Sequence, residues 1–124
     1  MKARYLLLAA LLPATAAHAA QEADPRGVWM REDGNARVRI APCGKAMCAT
    51  NLWIKDTSKG EQVGDKLIMT LKPQSPTTLA GEAYDPKRDM SFAIKVTVGK
   101  GSLKTRGCIV AGMLCKNVSW TPAR

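Results

Sequence analysis

Short segments in which apolar and polar residues alternate run through most of this chain of 124 residues. In the clearest one, residues 92–98, every second residue is a large apolar one, from Phe92 to Val98. A period of two is typical of β-strands that bury one face, because successive side chains point to opposite sides. No segment has the period of 3.6 residues that an amphipathic helix requires. The sequence therefore predicts an all-β fold.

Turn residues separate these segments at the spacing of a meander. Residues 33–35 (Asp-Gly-Asn) form a strong hairpin signal after the first segment, and residues 99–101 (Gly-Lys-Gly) precede the seventh. The predicted strands are residues 28–31, 37–41, 49–55, 66–72, 78–84, 92–98, 102–110 and 113–121. Eight short antiparallel strands can close into an up-and-down β-barrel, which leaves no exposed edge. A two-sheet β-sandwich is the alternative, since strand number alone does not decide closure.

The first 19 residues have the features of a secretory signal. Lys2 and Arg4 form a basic start, residues 6–12 an apolar core, and residues 17–19 (Ala-His-Ala) a cleavage site. The apolar run is too short to cross a bilayer, which takes about 20 residues, and a stop-transfer pattern that would make it an anchor is missing. We expect cleavage after Ala19, a flexible lead over residues 20–26 and a single domain over residues 27–124. A periplasmic or secreted location follows, with no transmembrane segment after cleavage.

Charge and histidine content limit the classes of function. The net charge of +9 favours anionic surroundings such as lipid head groups. No basic run is longer than Lys87-Arg88 and aromatic residues are few, so we expect no nucleic-acid partner. The single histidine, His18, lies in the predicted signal. The mature chain therefore has no imidazole for acid–base catalysis or metal binding.

The four cysteines, Cys43, Cys48, Cys108 and Cys115, allow three disulfide pairings. We favour Cys43–Cys48 and Cys108–Cys115, because each bond would join positions that face each other across a tight turn. A zinc site with four thiolates is the alternative. The Cys-x4-Cys and Cys-x6-Cys spacings are looser than those of typical zinc knuckles, and exported cysteines usually oxidise. The sequence predicts two disulfides, no metal and no cofactor.

Catalytic residues are hard to assemble from this composition. The closest carboxylate pairs, Glu32 with Asp33 and Asp85 with Asp89, lie in predicted turns, where charge is usually solvated. Glycoside hydrolysis requires two carboxylates across a substrate cleft, and the serines have no histidine to activate them. We expect a protein that is not an enzyme, with a carboxylate-based hydrolase as the alternative.

Five short motifs occur in an order that resembles a known family. They are residues 27–29 (Gly-Val-Trp), 43–48 (Cys-Gly-Lys-Ala-Met-Cys), 81–86 (Gly-Glu-Ala-Tyr-Asp-Pro), 103–108 (Leu-Lys-Thr-Arg-Gly-Cys) and 120–121 (Trp-Thr). This order is similar to the exported bacterial family catalogued as domain of unknown function 2147. The resemblance covers residues 27–121 and implies a small lipocalin-like, or calycin-like, barrel.

The resemblance also implies roles for individual side chains. In lipocalins the tryptophan of the opening motif closes the barrel base beneath a basic side chain from the final strand. Trp29 would take this role here, with Arg106 or Arg124 over its ring. Tyr84, at the end of a strand, and Trp120 complete the candidate ligand-binding or barrel-closing residues. Large aromatic side chains also serve simply as buried plugs.

These features predict a non-catalytic binding module for a small apolar or amphipathic ligand, or an envelope lipid fragment. A barrel of eight strands either holds one small ligand or is filled by its own side chains. The alternative function is a structural or protein-interaction module of the cell envelope, in which disulfide-braced loops contact a partner. An anionic envelope component would suit the positive charge.

Overall fold

The structure, a computed structural model, describes residues 23–123. The predicted signal, the first part of the predicted lead and Arg124 lie outside the described residues. Eight strands follow one another: β1 (Gly27–Arg31), β2 (Ala36–Cys43), β3 (Ala46–Ile54), β4 (Lys66–Pro73), β5 (Thr78–Asp85), β6 (Met90–Gly99), β7 (Ser102–Ile109) and β8 (Leu114–Pro122). Within the described residues no helix is long and apolar enough to cross a membrane.

The strands form a closed antiparallel barrel. Each strand pairs with the next along the chain, and β1 closes the ring by pairing with β8, with Trp29 opposite Pro122 and Arg31 opposite Trp120. The predicted up-and-down barrel is therefore confirmed, and the closed ring excludes the two-sheet sandwich. Closure removes the unpaired edges that an open sheet of this size would present to other chains.

Alternation along the strands places one side chain in two inside the barrel. The buried apolar side chains come from all strands except β8 and form one cluster: Trp29, Ala36, Val38, Ile40, Ile54, Met69, Leu79, Ala83, Ile94, Val96 and Leu103. The pattern of β4 alone left its register open. Its pairing with β3 sets Leu67 opposite Ala49 and Met69 opposite Met47, which turns these two β4 side chains inward.

The barrel has two different ends. The base end holds the turns after β2, β4 and β6, together with the start of β1 and the end of β8. The mouth end holds the turns after β1, β5 and β7 and the longer loop over residues 55–65. Because β1 ends at Arg31, opposite Trp120, the upper part of β8 has no β1 partner. The β7–β8 hairpin therefore extends beyond β1 at the mouth.

Both predicted cysteine pairs are disulfides in the structure. Cys43–Cys48 closes the β2–β3 hairpin at the base end, and Cys108–Cys115 closes the β7–β8 hairpin at the mouth end. No free cysteine occurs among the described residues. Loops this short constrain the unfolded chain by about 2–3 kcal/mol each in the chain-entropy description. The disulfides are consistent with folding in an oxidising compartment.

Candidate ligand cavity

The upper part of the barrel contains a cavity of about 690 Å³ that opens at the mouth end. Inward-facing apolar side chains make most of its wall, among them Val38, Ile40, Leu67, Met69, Ile94 and Val96. Two small residues leave the space open: Ala49 on β3 and Gly107 on β7. A side chain at Gly107 would press against the Phe92 ring, with a Cβ only 3.0 Å from the nearest ring carbon. The wall is therefore suited to an apolar body.

Two tryptophans and buried apolar side chains close the base. Trp29 is 8% exposed, and its indole Nε1 donates a hydrogen bond to the Pro25 carbonyl oxygen at 2.9 Å. Trp120 Nε1 donates to Thr105 Oγ1 at 3.0 Å. Leu103, opposite Trp120, is 1% exposed and does not line the cavity. The base is thus filled, and each buried indole N–H has the partner that its burial requires.

An ion pair ties the 55–65 loop across the mouth. Arg31, the last residue of β1, binds the Glu61 carboxylate through two bonds of 2.7 and 2.8 Å. Asn35 Nδ2 adds a third hydrogen bond to Glu61 at 3.0 Å. The Arg31 hydrogen bonds lower the pKa of Glu61, and they raise the pKa of the guanidinium in return. Two parallel bonds of this kind fix the position of both groups better than one bond does.

A second set of charges lies on the β5–β6 side of the mouth. Burial would raise the pKa of the Asp85 carboxyl, but the Arg88 guanidinium at 2.8 Å and backbone amides of its own turn lower it. Lys87 reaches the 55–65 loop and binds Asp65 at 3.0 Å. The loop is therefore held at two separate points, by Arg31 and by Lys87.

These contacts predict that the loop loosens in acid. The folded pKa of Glu61 lies below its ordinary value of about 4.3. Its ionic contribution is complete above that value and is lost as the pH falls through the lowered pKa. Amide hydrogen exchange in residues 55–65 should accelerate relative to the rest of the barrel between about pH 5 and pH 2. Arg31→Met should bring the NMR-measured pKa of Glu61 back toward its ordinary value; an unshifted pKa in the unchanged protein would contradict this account.

Lys116 adds to the cavity a cation that forms no ion pair in the described structure. Lys116 on β8 pairs with Gly107 on β7, and Gly107 pairs with the buried Ile94 on β6. Side chains at paired positions lie on the same face of the sheet, so Lys116 is on the inner face of the barrel, near the mouth. Within residues 23–123, no carboxylate lies within ion-pair distance of it. Lys66, whose side chain is exposed, also lies at the rim without an ion-pair partner in the described structure. The cavity therefore combines an apolar wall with unpaired positive charge near its opening.

The sequence profile of a bacterial family described as "Uncharacterized protein conserved in bacteria (DUF2147)" matches residues 27–122. The chain belongs to this family. Neither a curated protein nor a solved structure matches the chain significantly. The DUF2147 match spans the whole barrel from the first residue of β1 to the last of β8, so the family unit and the structural unit coincide.

The four site residues predicted from sequence separate into two groups in this DUF2147 barrel. Trp29 and Trp120 line the cavity. Tyr84 and Arg106 face outward: the Tyr84 hydroxyl donates to Asp89 at 2.8 Å, and Arg106 donates to Asn117 Oδ1 at 3.0 Å. Arg106 therefore lies on the opposite side of the barrel wall from the Trp29 ring. The other predicted basic partner, Arg124, lies outside the described residues.

Lys116 and the Arg31–Glu61 pair were not predicted as parts of the cavity. Trp120, Val118 and Lys116 are two residues apart along β8, so strand alternation places all three on the same face. The sequence pattern could therefore have identified Lys116 as an inward-facing residue. Arg31 and Glu61 are 30 residues apart in the chain, and no local pattern joins them. Among residues 23–123, no three metal-ligating side chains come together.

Proposed function

We propose that this protein binds a small amphipathic ligand inside the barrel, with the apolar part in the cavity and an anionic head beside Lys116. The observation that carries the proposal is the cavity itself. Its volume of about 690 Å³ falls in the usual range of small-molecule sites, about 300–1,000 Å³. Its wall is mostly apolar, and its polar groups lie at one end, as such sites generally are arranged.

The energetics favour a ligand with two parts. Each methylene group buried contributes about 0.8 kcal/mol, so a tail of about eight carbons gains about 6 kcal/mol before association entropy is subtracted. A head that hydrogen-bonds to a charged amine adds about 1.5–3 kcal/mol. Because Lys116 has no carboxylate partner in the described structure, an anionic head would not have to displace one.

The proposal includes a location outside the cytoplasm, periplasmic or secreted, and a role without catalysis. The predicted signal over residues 1–19 and the two disulfides support the location. The carboxylates that line the cavity support the second part. Glu61 is bound by Arg31, Asp65 by Lys87 and Asp85 by Arg88, an arrangement typical of structural ion pairs.

Replacing Lys116 with glutamine tests the head-group assignment. Dodecanoate and dodecanol have the same tail and differ in the charge of the head. We expect Lys116→Gln to weaken dodecanoate binding about tenfold, because a charge-assisted hydrogen bond is lost. Dodecanol binding should stay unchanged. Isothermal titration calorimetry measures both affinities.

Lys72→Gln is the matched control, since the Lys72 side chain is exposed on the outer face of β4 and does not line the cavity. An equal loss of both ligands in Lys116→Gln would contradict the head-group assignment. Binding of neither ligand by the unchanged protein would contradict the proposed function.

A further inference from the structure

The tip of the β7–β8 hairpin exposes four large apolar side chains. We call residues 109–114 the apolar tip; its exposed members are Ile109 (40%), Val110 (62%), Met113 (80%) and Leu114 (59%). Single exposed apolar residues are ordinary on protein surfaces, whereas a contiguous group marks a contact surface. The tip lies beside the opening of the cavity, whose rim includes Ile109 and Leu114.

The backbone holds the tip in an uncommon conformation. Val110 and Ala111 have φ values of 54° and 53°, in the left-handed region that β-branched residues rarely adopt. The Met113 amide donates to the Val110 carbonyl oxygen at 3.0 Å, and Cys108–Cys115 closes the hairpin directly below. The disulfide and the turn together present the apolar side chains to solvent.

The three strands that include the tip carry positive charge. Residues 90–122, which form β6, β7 and β8, contain no aspartate or glutamate. They contain five cations: Lys95, Lys100, Lys104, Arg106 and Lys116. In the described structure none of these has an ion-pair partner, whereas Arg31, Lys87 and Arg88 on the other side of the mouth are all paired. Lys95, Arg106 and Lys116 lie nearer the tip, whereas Lys100 and Lys104 lie toward the base end.

We propose that the β7–β8 hairpin docks on an anionic phospholipid bilayer, with the apolar tip among the head groups and the outer-wall cations nearest to it, Lys95 and Arg106, against lipid phosphates. Apolar side chains flanked by lysine and arginine are the combination that binds such surfaces. A second copy of the chain is disfavoured as the occupant, because pairing this surface with itself would bring like charges together. Docking would also bring the cavity mouth close to the lipid.

Sedimentation with vesicles tests the proposal independently of the cavity. We expect binding to vesicles of equal parts phosphatidylglycerol and phosphatidylcholine, weakened by salt, and binding at least tenfold weaker to phosphatidylcholine alone. Val110→Asn with Met113→Ser removes two apolar side chains, and asparagine tolerates the left-handed backbone. This double variant should bind anionic vesicles at least tenfold more weakly, as should Lys95→Glu with Arg106→Glu.

Two control variants lie off the β7–β8 hairpin, one across the mouth between β3 and β4 and one toward the base end of β4. Val63→Ser removes a 63%-exposed apolar side chain from the 55–65 loop, and Lys72→Glu reverses an exposed charge on β4. Both controls should bind vesicles like the unchanged protein. The proposal would be overturned if the protein bound neutral and anionic vesicles equally, or if the control variants lost as much binding as the tip variants. A dimer in analytical ultracentrifugation that Met113→Ser dissociates would overturn it as well. Dodecanoate binding by the tip variants should persist, which separates this surface from the cavity.

Discussion

Replacing Ala49 with tryptophan is expected to weaken dodecanoate binding about 100-fold. Ala49 lies on β3, opposite Ile40 on one side and Leu67 on the other, and its small side chain leaves the centre of the cavity open. An indole there would occupy the space of the ligand tail. Excluding three or four methylene groups removes about 3 kcal/mol of burial energy, which corresponds to about 100-fold in affinity.

The matched control is Ala93→Trp. Ala93 is exposed, and its β6 neighbours Phe92 and Ile94 point into the barrel, so an indole at this position lies on the outer wall. Calorimetric titration should give the same dodecanoate affinity for this variant as for the unchanged protein. If both tryptophan variants bound equally well, the cavity would not be the binding site.

Replacing Leu103 with alanine is expected to cost about 3 kcal/mol of unfolding free energy. Leu103 is 1% exposed and packs in the filled base, opposite Trp120 on β8 and Val98 on β6. Deleting a buried leucine leaves a void in addition to the lost transfer energy. For a domain of about 100 residues, a loss of this size lowers Tm by about 12–24 °C.

Comparing Leu103→Ala with two further variants tests whether the base is filled and the space above it is open. Leu114→Ala, on the exposed tip, should change the unfolding free energy by less than about 0.5 kcal/mol. Val118→Ala, which enlarges a space that is already open, should cost about 1 kcal/mol. Urea unfolding monitored by tryptophan fluorescence measures all three variants. A loss at Val118 as large as that at Leu103 would contradict the description of the two ends.

Strand periodicity predicted the eight strands because its physical cause is local, whereas it left barrel closure open. A strand that buries one face must alternate, and the segment over residues 92–98 alternates in the sequence as β6 alternates in the structure. Boundaries were less accurate at the hairpin tips. The sequence predicted strands to residue 110 and from residue 113, whereas β7 ends at Ile109 and β8 begins at Leu114. The left-handed backbone at Val110 and Ala111 breaks the pairing there.

The cavity could not be predicted, because it depends on how side chains from different strands meet. Ala49 and Gly107 lie on strands that do not pair with each other, and both face the same space. The two glycines and many charges of residues 56–65 are typical of an exposed loop. The structure ties that loop to β1 through Arg31 and Glu61, a contact that requires the folded barrel.

The position of Trp53 on the outer wall also could not be predicted, because the sequence pattern does not show which face of β3 this side chain occupies. The register shift between Arg37 and Val38 sets Trp53 opposite Arg37, with the guanidinium carbon 5.8 Å from the ring centroid. A cation over an indole face contributes about 0.5–2 kcal/mol. A bulge of this kind displaces the period of two by one residue, and the alternation pattern does not reveal it.

Nuclear Overhauser contacts between bound dodecanoate and the methyl groups of the barrel test the central claim most directly. We expect contacts from the ligand tail to Ala49, Ile94 and Val96, which line the cavity, and none to Ala93 on the outer wall. Contacts confined to Val110 and Met113 on the apolar tip would contradict a ligand site inside the barrel.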